Sequence, residues 1–314
     1  MEMFLAILLL EVISSLSFSV FTIICLSRTG VQRANITPLN RILISLNVSN
    51  VFYTIFMSAY LLLSNVWSYL FSIRSVSCFI SSMTMFAITS STWLTAVLCF
   101  FFFMKIIPSR PGLLMNFKNE IGSIIWKLIL MVIVVSAGGS FITALFISLQ
   151  HPNVRNSTMN EVKTLEENIR QKPILVNFVV IFNWLPFLVI IMTTVASAWF
   201  LKVYDSQMKK NNGTLAKSNV KDYLSAVYTM TGLLFFYIFV IVAVVIFALK
   251  IFVHRSVGYW ICEMALLSFP TGQSILLIYS NPRLKQILKE IFTDINPVVT
   301  PKNAGRLGRS QEVI

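Results

Sequence analysis

The chain has 314 residues, of which 56% are apolar and only 12% charged, against roughly 45–50% and about 25% in soluble domains. That balance excludes an ordinary soluble domain and a disordered chain, and four cysteines are too few for a disulfide framework. The formal net charge of +13 raises nucleic acid as a partner until the charges are located.

Lys and Arg punctuate the chain. Seven stretches longer than 25 residues contain neither: 1–27, 42–73, 75–104, 128–154, 173–201, 222–249 and 256–282. A helix crosses a hydrocarbon core of roughly 30 Å with about 20 apolar residues, so each stretch can be a span. A barrel strand would instead show as a short alternating segment. Span one reads as retained: Glu2 stands where a signal peptide has a basic n-region, and Arg28 follows an apolar run longer than a usual h-region. The expected fold is all-α: a seven-transmembrane helix bundle over residues 1–282, then a cytoplasmic segment, 283–314, with a short amphipathic inner-surface helix and a disordered polar tail.

Segments 28–41, 105–127, 202–221 and 283–314 hold 18 of the Lys and Arg residues. The alternate set (the N-terminus, Arg74, 150–172 and 250–255) holds 7. Cytoplasmic segments carry the Lys/Arg excess, which puts the N-terminus outside and the C-terminus inside. The positive charge becomes an inner-leaflet feature suited to anionic lipid or an acidic cytosolic partner. Nucleic acid drops out, because no basic run with interleaved aromatics lies outside the spans. Of the four N-x-Ser/Thr patterns, at Asn35, Asn47, Asn156 and Asn212, only Asn156 falls in an outer segment and can be glycosylated.

Along the spans, Glu11 and Glu263 are the intramembrane charges, each costing at least about 2.5–3.5 kcal/mol on insertion scales. Glu263 lies about one turn below the outer end of span seven and reads as a ligand contact in an outward-open pocket, the alternative being a helix-packing hydrogen bond. Glu11, near the middle of span one, reads as packing. Gly138-Gly139 suits close helix approach, and Pro186, Pro270 and Pro282 should kink or stop spans five and seven. Cys25, Cys99 and Cys262 read as packing residues. After span seven, Leu284, Ile287, Leu288 and Ile291 recur at i, i+3, i+4 and i+7, an amphipathic pattern with basic residues for headgroups. His151 and His254 are read as solvated residues of outer loops. No metal spacing, phosphate loop or nucleophile elbow is present, so neither an enzyme nor a cofactor or metal is expected. No repeats or paired broken helices support a transporter.

The inner end of span three reads Trp93-Leu94-Thr95-Ala96-Val97-Leu98-Cys99-Phe100-Phe101-Phe102-Phe103-Met104-Lys105-Ile106. Span seven carries Phe269-Pro270-Thr271-Gly272-Gln273-Ser274, then Leu277-Ile278 and Asn281-Pro282-Arg283-Leu284-Lys285. Span five holds Pro186-Phe187 followed by Gln207-Met208, and span two holds Leu46-Asn47-Val48-Ser49-Asn50. Together these segments resemble the type 2 (bitter) taste receptors, a G-protein-coupled family, over about 280 residues. The departures are specific: where the family carries histidines at the inner ends of spans five, six and seven stand Tyr204, Tyr223 and Gln273. Its span-two Arg is Asn50, and its span-one Asn is Ser19. The resemblance associates those positions with the inactive state and its release. Cys78 begins span three, yet 150–172 holds no Cys to join it, which also agrees with the family.

The resemblance implies a plasma-membrane receptor that senses bitter small molecules from outside and activates a heterotrimeric G protein of the gustducin type. The implied ligand-lining residues are Thr84, Met85, Ile88, Asn183, Tyr237 and Glu263. The implied coupling and activation residues are Lys105, Tyr204, Met208, Lys217, Lys221, Tyr223, Asn281 and Lys285, although a lysine there can equally meet lipid phosphate. A vomeronasal type 1 pheromone receptor, which usually has the outer cysteine bridge, is the nearest alternative, and a small-molecule transporter a further one.

Overall fold

The computed structural model describes residues 2–32, 37–106, 121–150, 173–210, 216–248, 251–252, 256–281 and 284–289. Seven long helices occupy them: Glu2–Gln32, Pro38–Asn65, Arg74–Ile106, Ile121–Gln150, Pro173–Lys210, Ala216–Ala248 and Val257–Ser280, spans one to seven in order. A one-turn helix, Ser68–Phe71, joins spans two and three. Each long helix contains a segment long and apolar enough to cross a membrane, so the chain is a multi-pass membrane protein. Asn156, His151 and His254 lie outside the described residues.

Local chemistry sets the boundaries. Span two starts at Thr37, whose side chain accepts from the Asn40 N–H, with Pro38 in the first turn where no N–H is needed. Span seven starts the same way at Ser256, which accepts from Tyr259. It ends where Asn281 turns extended, directly before Pro282. Pro186 and Pro270 lie inside continuous helices, so neither stops its span. Residues 284–289 are again helical, with Leu284 buried, Ile287 and Leu288 packed on the core, and Lys285, Gln286 and Lys289 exposed.

Span three is the axis. In its apolar segment 67% of residues are buried, against 22% in span one, and it packs against spans two, four, five and six. Span seven closes the ring between spans one and six. Ile42, Leu46, Leu98, Cys99, Ile190, Met230, Leu277 and Ile278 form the main apolar cluster. A second joins Leu8, Tyr53, Met57, Leu61, Ala87 and Leu267. Cys25, Cys99 and Cys262 are buried, and none of the four cysteines forms a disulfide. Leu10, Leu130, Val134, Met192 and Phe235 face outward, as lipid-facing positions do.

Between helices in lipid there is little hydrophobic drive, so close packing and interhelical hydrogen bonds decide association. Spans six and seven meet by reciprocal notches. A Cβ on Gly232 would lie 3.0 Å from Leu276, and one on Gly272 would lie 2.6 Å from Phe236. Gly138 does not share this role, since a Cβ there would meet nothing within 4 Å. It points away from the bundle, whereas Gly139 is buried, and Ser140 beside it reaches span three, its hydroxyl donating to the Ser82 carbonyl at 2.9 Å.

Candidate functional site

A polar seam runs down the centre of the bundle between spans one, two, three and seven. Small hydroxyl residues spaced along these helices allow close approach and then spend their donors across the gap. The Ser15 and Thr54 hydroxyls meet at 2.8 Å, Ser49 and Ser90 at 2.6 Å, and Ser19 and Ser274 at 3.2 Å. Ser274 also lies 3.3 Å from the Asn47 amide oxygen, to which it can donate. Ser91 donates to Asn50 Oδ1 at 2.7 Å, and Gln273 Nε2 donates to Thr95 Oγ1 at 2.6 Å. Ser19, Asn50 and Gln273, the three departures from the family pattern with described side chains, therefore share one buried seam, each 0% exposed. Asn50 Nδ2 and Gln273 Oε1 have no hydrogen-bond partner among the described residues.

Above the seam lies a transverse row of rings. Phe187 stacks on Tyr237 at 5.6 Å, Tyr237 meets Phe269 edge-on at 6.0 Å, and Phe269 tilts against Tyr53 at 6.2 Å. The row links spans five, six, seven and two. Such contacts add about 0.5–1.5 kcal/mol each beyond burial. The Tyr53 hydroxyl is committed, donating to the Leu266 carbonyl at 2.8 Å.

Glu263 stands six positions before Phe269 on span seven, toward the end at which that helix begins, and is 1% exposed. Its Oε2 accepts from Asn65 Nδ2 at 3.4 Å, and Asn65 also donates to the Leu61 carbonyl at 3.0 Å. The last residue of span two thus holds the carboxyl. A buried carboxyl with an amide beside it can receive a cationic or hydrogen-bond-donating group.

The other expected lining residues separate. Ile88 packs on the cluster containing Tyr53 and Leu267, and Tyr237 stands in the ring row. Thr84 is turned to span two, donating to the carbonyls of Phe56 at 3.2 Å and Ile80 at 2.8 Å. Met85 is buried. The side chain of Asn183 lies outside the described residues, as do those of Tyr204, Met208, Lys217, Lys221 and Tyr223. At the far end Lys105 is exposed, and Lys285 Nζ lies 5.8 Å over the Tyr279 ring. Asn281 joins span seven to the 284–289 helix, its N–H donating to Leu277 and its carbonyl accepting from Lys285 at 3.0 Å. Sequence reasoning missed Asn65, Phe187 as a ring partner, Tyr53 and Thr95. The signal for Asn65 was a lone amide closing a span; the others looked like ordinary span residues. Among the described residues no group of three or more His, Cys, Asp or Glu could hold a metal ion.

A family model described as "Taste receptor protein (TAS2R)" matches residues 1–296. Taste receptor type 2 member 40 of Gallus gallus is 25% identical over 288 residues, covering 88% of this chain and 90% of that one. Taste receptor type 2 member 39 of Macaca mulatta is 25% identical over 293 residues, and that of Homo sapiens 24% over 291, each covering 91% of this chain and 85% of the relative.

Proposed function

We propose that this chain, which belongs to the type 2 taste receptor family, is a plasma-membrane G-protein-coupled receptor for bitter small molecules. The observation that carries the reading is Glu263: a carboxyl buried in a membrane-spanning helix, held by Asn65, above a row of rings formed by Tyr53, Phe269, Tyr237 and Phe187. A carboxyl is expensive at such a depth and is retained where it does work. In this reading the N-terminus and Glu263 are extracellular-facing, and the agonist reaches Glu263 from that side, flanked by Ile88 and Tyr237, with Thr84, Met85 and Asn183 as further lining candidates. Residues 1–282 form the receptor bundle and 283–314 the cytoplasmic segment. Asn156 carries the outer glycan.

Agonist binds better to the state with an opened inner face and shifts the equilibrium toward it. The contacts that must change lie in the seam, where Gln273–Thr95 and Asn50–Ser91 tie spans seven and two to span three. The inner face, bordered by Lys105, Tyr204, Met208, Lys217, Lys221, Tyr223, Asn281 and Lys285, receives a heterotrimeric G protein of the gustducin type. The basic residues there also suit anionic headgroups. The test is an activation assay in cells expressing the receptor with a gustducin-type α subunit. Activation by bitter compounds supports the reading. Silence across a broad panel, with the receptor verified at the surface, overturns it.

A further inference from the structure

Between residues 42 and 104 the chain holds one basic residue, Arg74, and its guanidinium is committed. Its Nη2 donates to the Ser148 carbonyl at 2.6 Å and lies 2.8 Å from the Ser148 hydroxyl. Arg74 opens span three, and Ser148 stands two residues before span four ends at Gln150. One turn further in, Cys78 Sγ donates to the Ala144 carbonyl at 3.6 Å, and another turn in, Ser140 Oγ donates to the Ser82 carbonyl at 2.9 Å. The rungs 74–148, 78–144 and 82–140 step by four residues on both helices, as two antiparallel helices packed along their i±4 ridges require. Polar side chains bridging to backbone carbonyls are the glue expected between helices in lipid. The outermost rung is the charge-assisted one, in which one guanidinium nitrogen, Nη2, addresses two acceptors on a single residue.

A disulfide from the start of span three to the segment after span four would be one covalent way to fix this corner. Here residues 150–172 contain no cysteine and Cys78 is a free thiol. We propose that Arg74 is a positioning residue: its two-acceptor clamp on Ser148, backed by the two rungs below it, fixes the point from which the outer segment 151–172 leaves the bundle, in place of a covalent bridge. This rests on the reading above that the Arg74 end faces outside.

The test is cleavage of the epitope-tagged receptor on intact cells by endoproteinase Glu-C, whose sites Glu161, Glu166 and Glu167 all lie in that segment and are untouched by the variants. The loss of a charge-assisted hydrogen bond predicts about tenfold faster cleavage for Arg74→Ala. Arg74→Lys, which keeps the charge but not the planar guanidinium that sets Nη2 between the two acceptors, should fall between Arg74→Ala and the wild type. Ser148→Ala, which keeps the carbonyl, should stay within about threefold of the wild type on the same energy scale. Equal cleavage rates for all four receptors would overturn the clamp while leaving the outside placement intact. Cleavage seen only after permeabilising the cells overturns the placement itself, and the clamp's role with it.

Discussion

The Gln273 amide donates to the Thr95 hydroxyl at 2.6 Å, joining the middle of span seven to span three where both residues are 0% exposed. The Thr95 hydroxyl in turn donates to the Ser91 carbonyl one turn earlier, and Ser91 donates to Asn50. Three spans are thus tied through one face of span three.

If that tie favours the closed state, cutting it raises agonist-independent signalling. An interhelical hydrogen bond in lipid contributes about 0.6 kcal/mol on average and up to roughly 1.7, so Gln273→Leu and Thr95→Val should each raise basal activity about threefold, and by no more than roughly twentyfold. The double variant should rise no further than the stronger single, because both remove one bond. Basal signalling measured per receptor at the surface checks this. Additive effects would show that the two residues act separately.

Glu263→Gln preserves volume and a hydrogen bond with Asn65 but removes the charge. Agonists with a cationic or strongly donating group should lose about tenfold or more in potency, the scale of one charge-assisted hydrogen bond, while surface expression is kept. Asn65→Leu should shift the same agonists in the same direction. Dose–response curves with surface labelling decide it. Unchanged potency for every agonist removes Glu263 from the contact set.

The two kinds of glycine give opposite outcomes. Gly272→Ala places a methyl 2.6 Å from Phe236, and overpacking of this kind costs about 1–3 kcal/mol, so surface yield and thermal half-life in detergent should both fall. Gly138→Ala meets nothing within 4 Å and should be neutral or slightly stabilising, helped by about 1 kcal/mol of helix propensity. Thermal inactivation of purified receptor separates the two. Equal losses would contradict the notch between spans six and seven.

Asn156→Gln should remove the single glycan. Enzymatic deglycosylation of the wild type should shift its gel mobility by one glycan, and the variant should run at the shifted position untreated. A variant that still shifts on deglycosylation places the glycan elsewhere and contradicts the expected orientation of the 150–172 segment.

The bundle was legible because its cause is compositional. Lys and Arg are costly in lipid, so their gaps outline the helices, and Pro282 marks where span seven stops. Helix faces were less legible. Gly138-Gly139 reads as a packing pair, but only the register of span four reveals that Gly138 points outward while Gly139 and Ser140 point inward. Glu263 stood out as a charge among apolar residues, whereas its partner Asn65 lies 198 positions away in sequence and nothing local marks the pair. The contacts of Thr84 were equally hidden: its hydroxyl lies 2.8 Å from the Ile80 carbonyl of its own helix and 3.2 Å from the Phe56 carbonyl of span two. Pairings between distant spans depend on helix rotation, which apolar content alone does not set.

As proposed above, bitter small molecules bound near Glu263 switch this receptor. The most direct measurement is calcium release in cells expressing the full-length chain with a gustducin-type α subunit, run across a panel of bitter compounds beside the Glu263→Gln variant. Saturable responses to some compounds are expected, right-shifted in the variant for those that carry a cation or donor. No response to any compound from receptor verified at the cell surface would contradict the proposal.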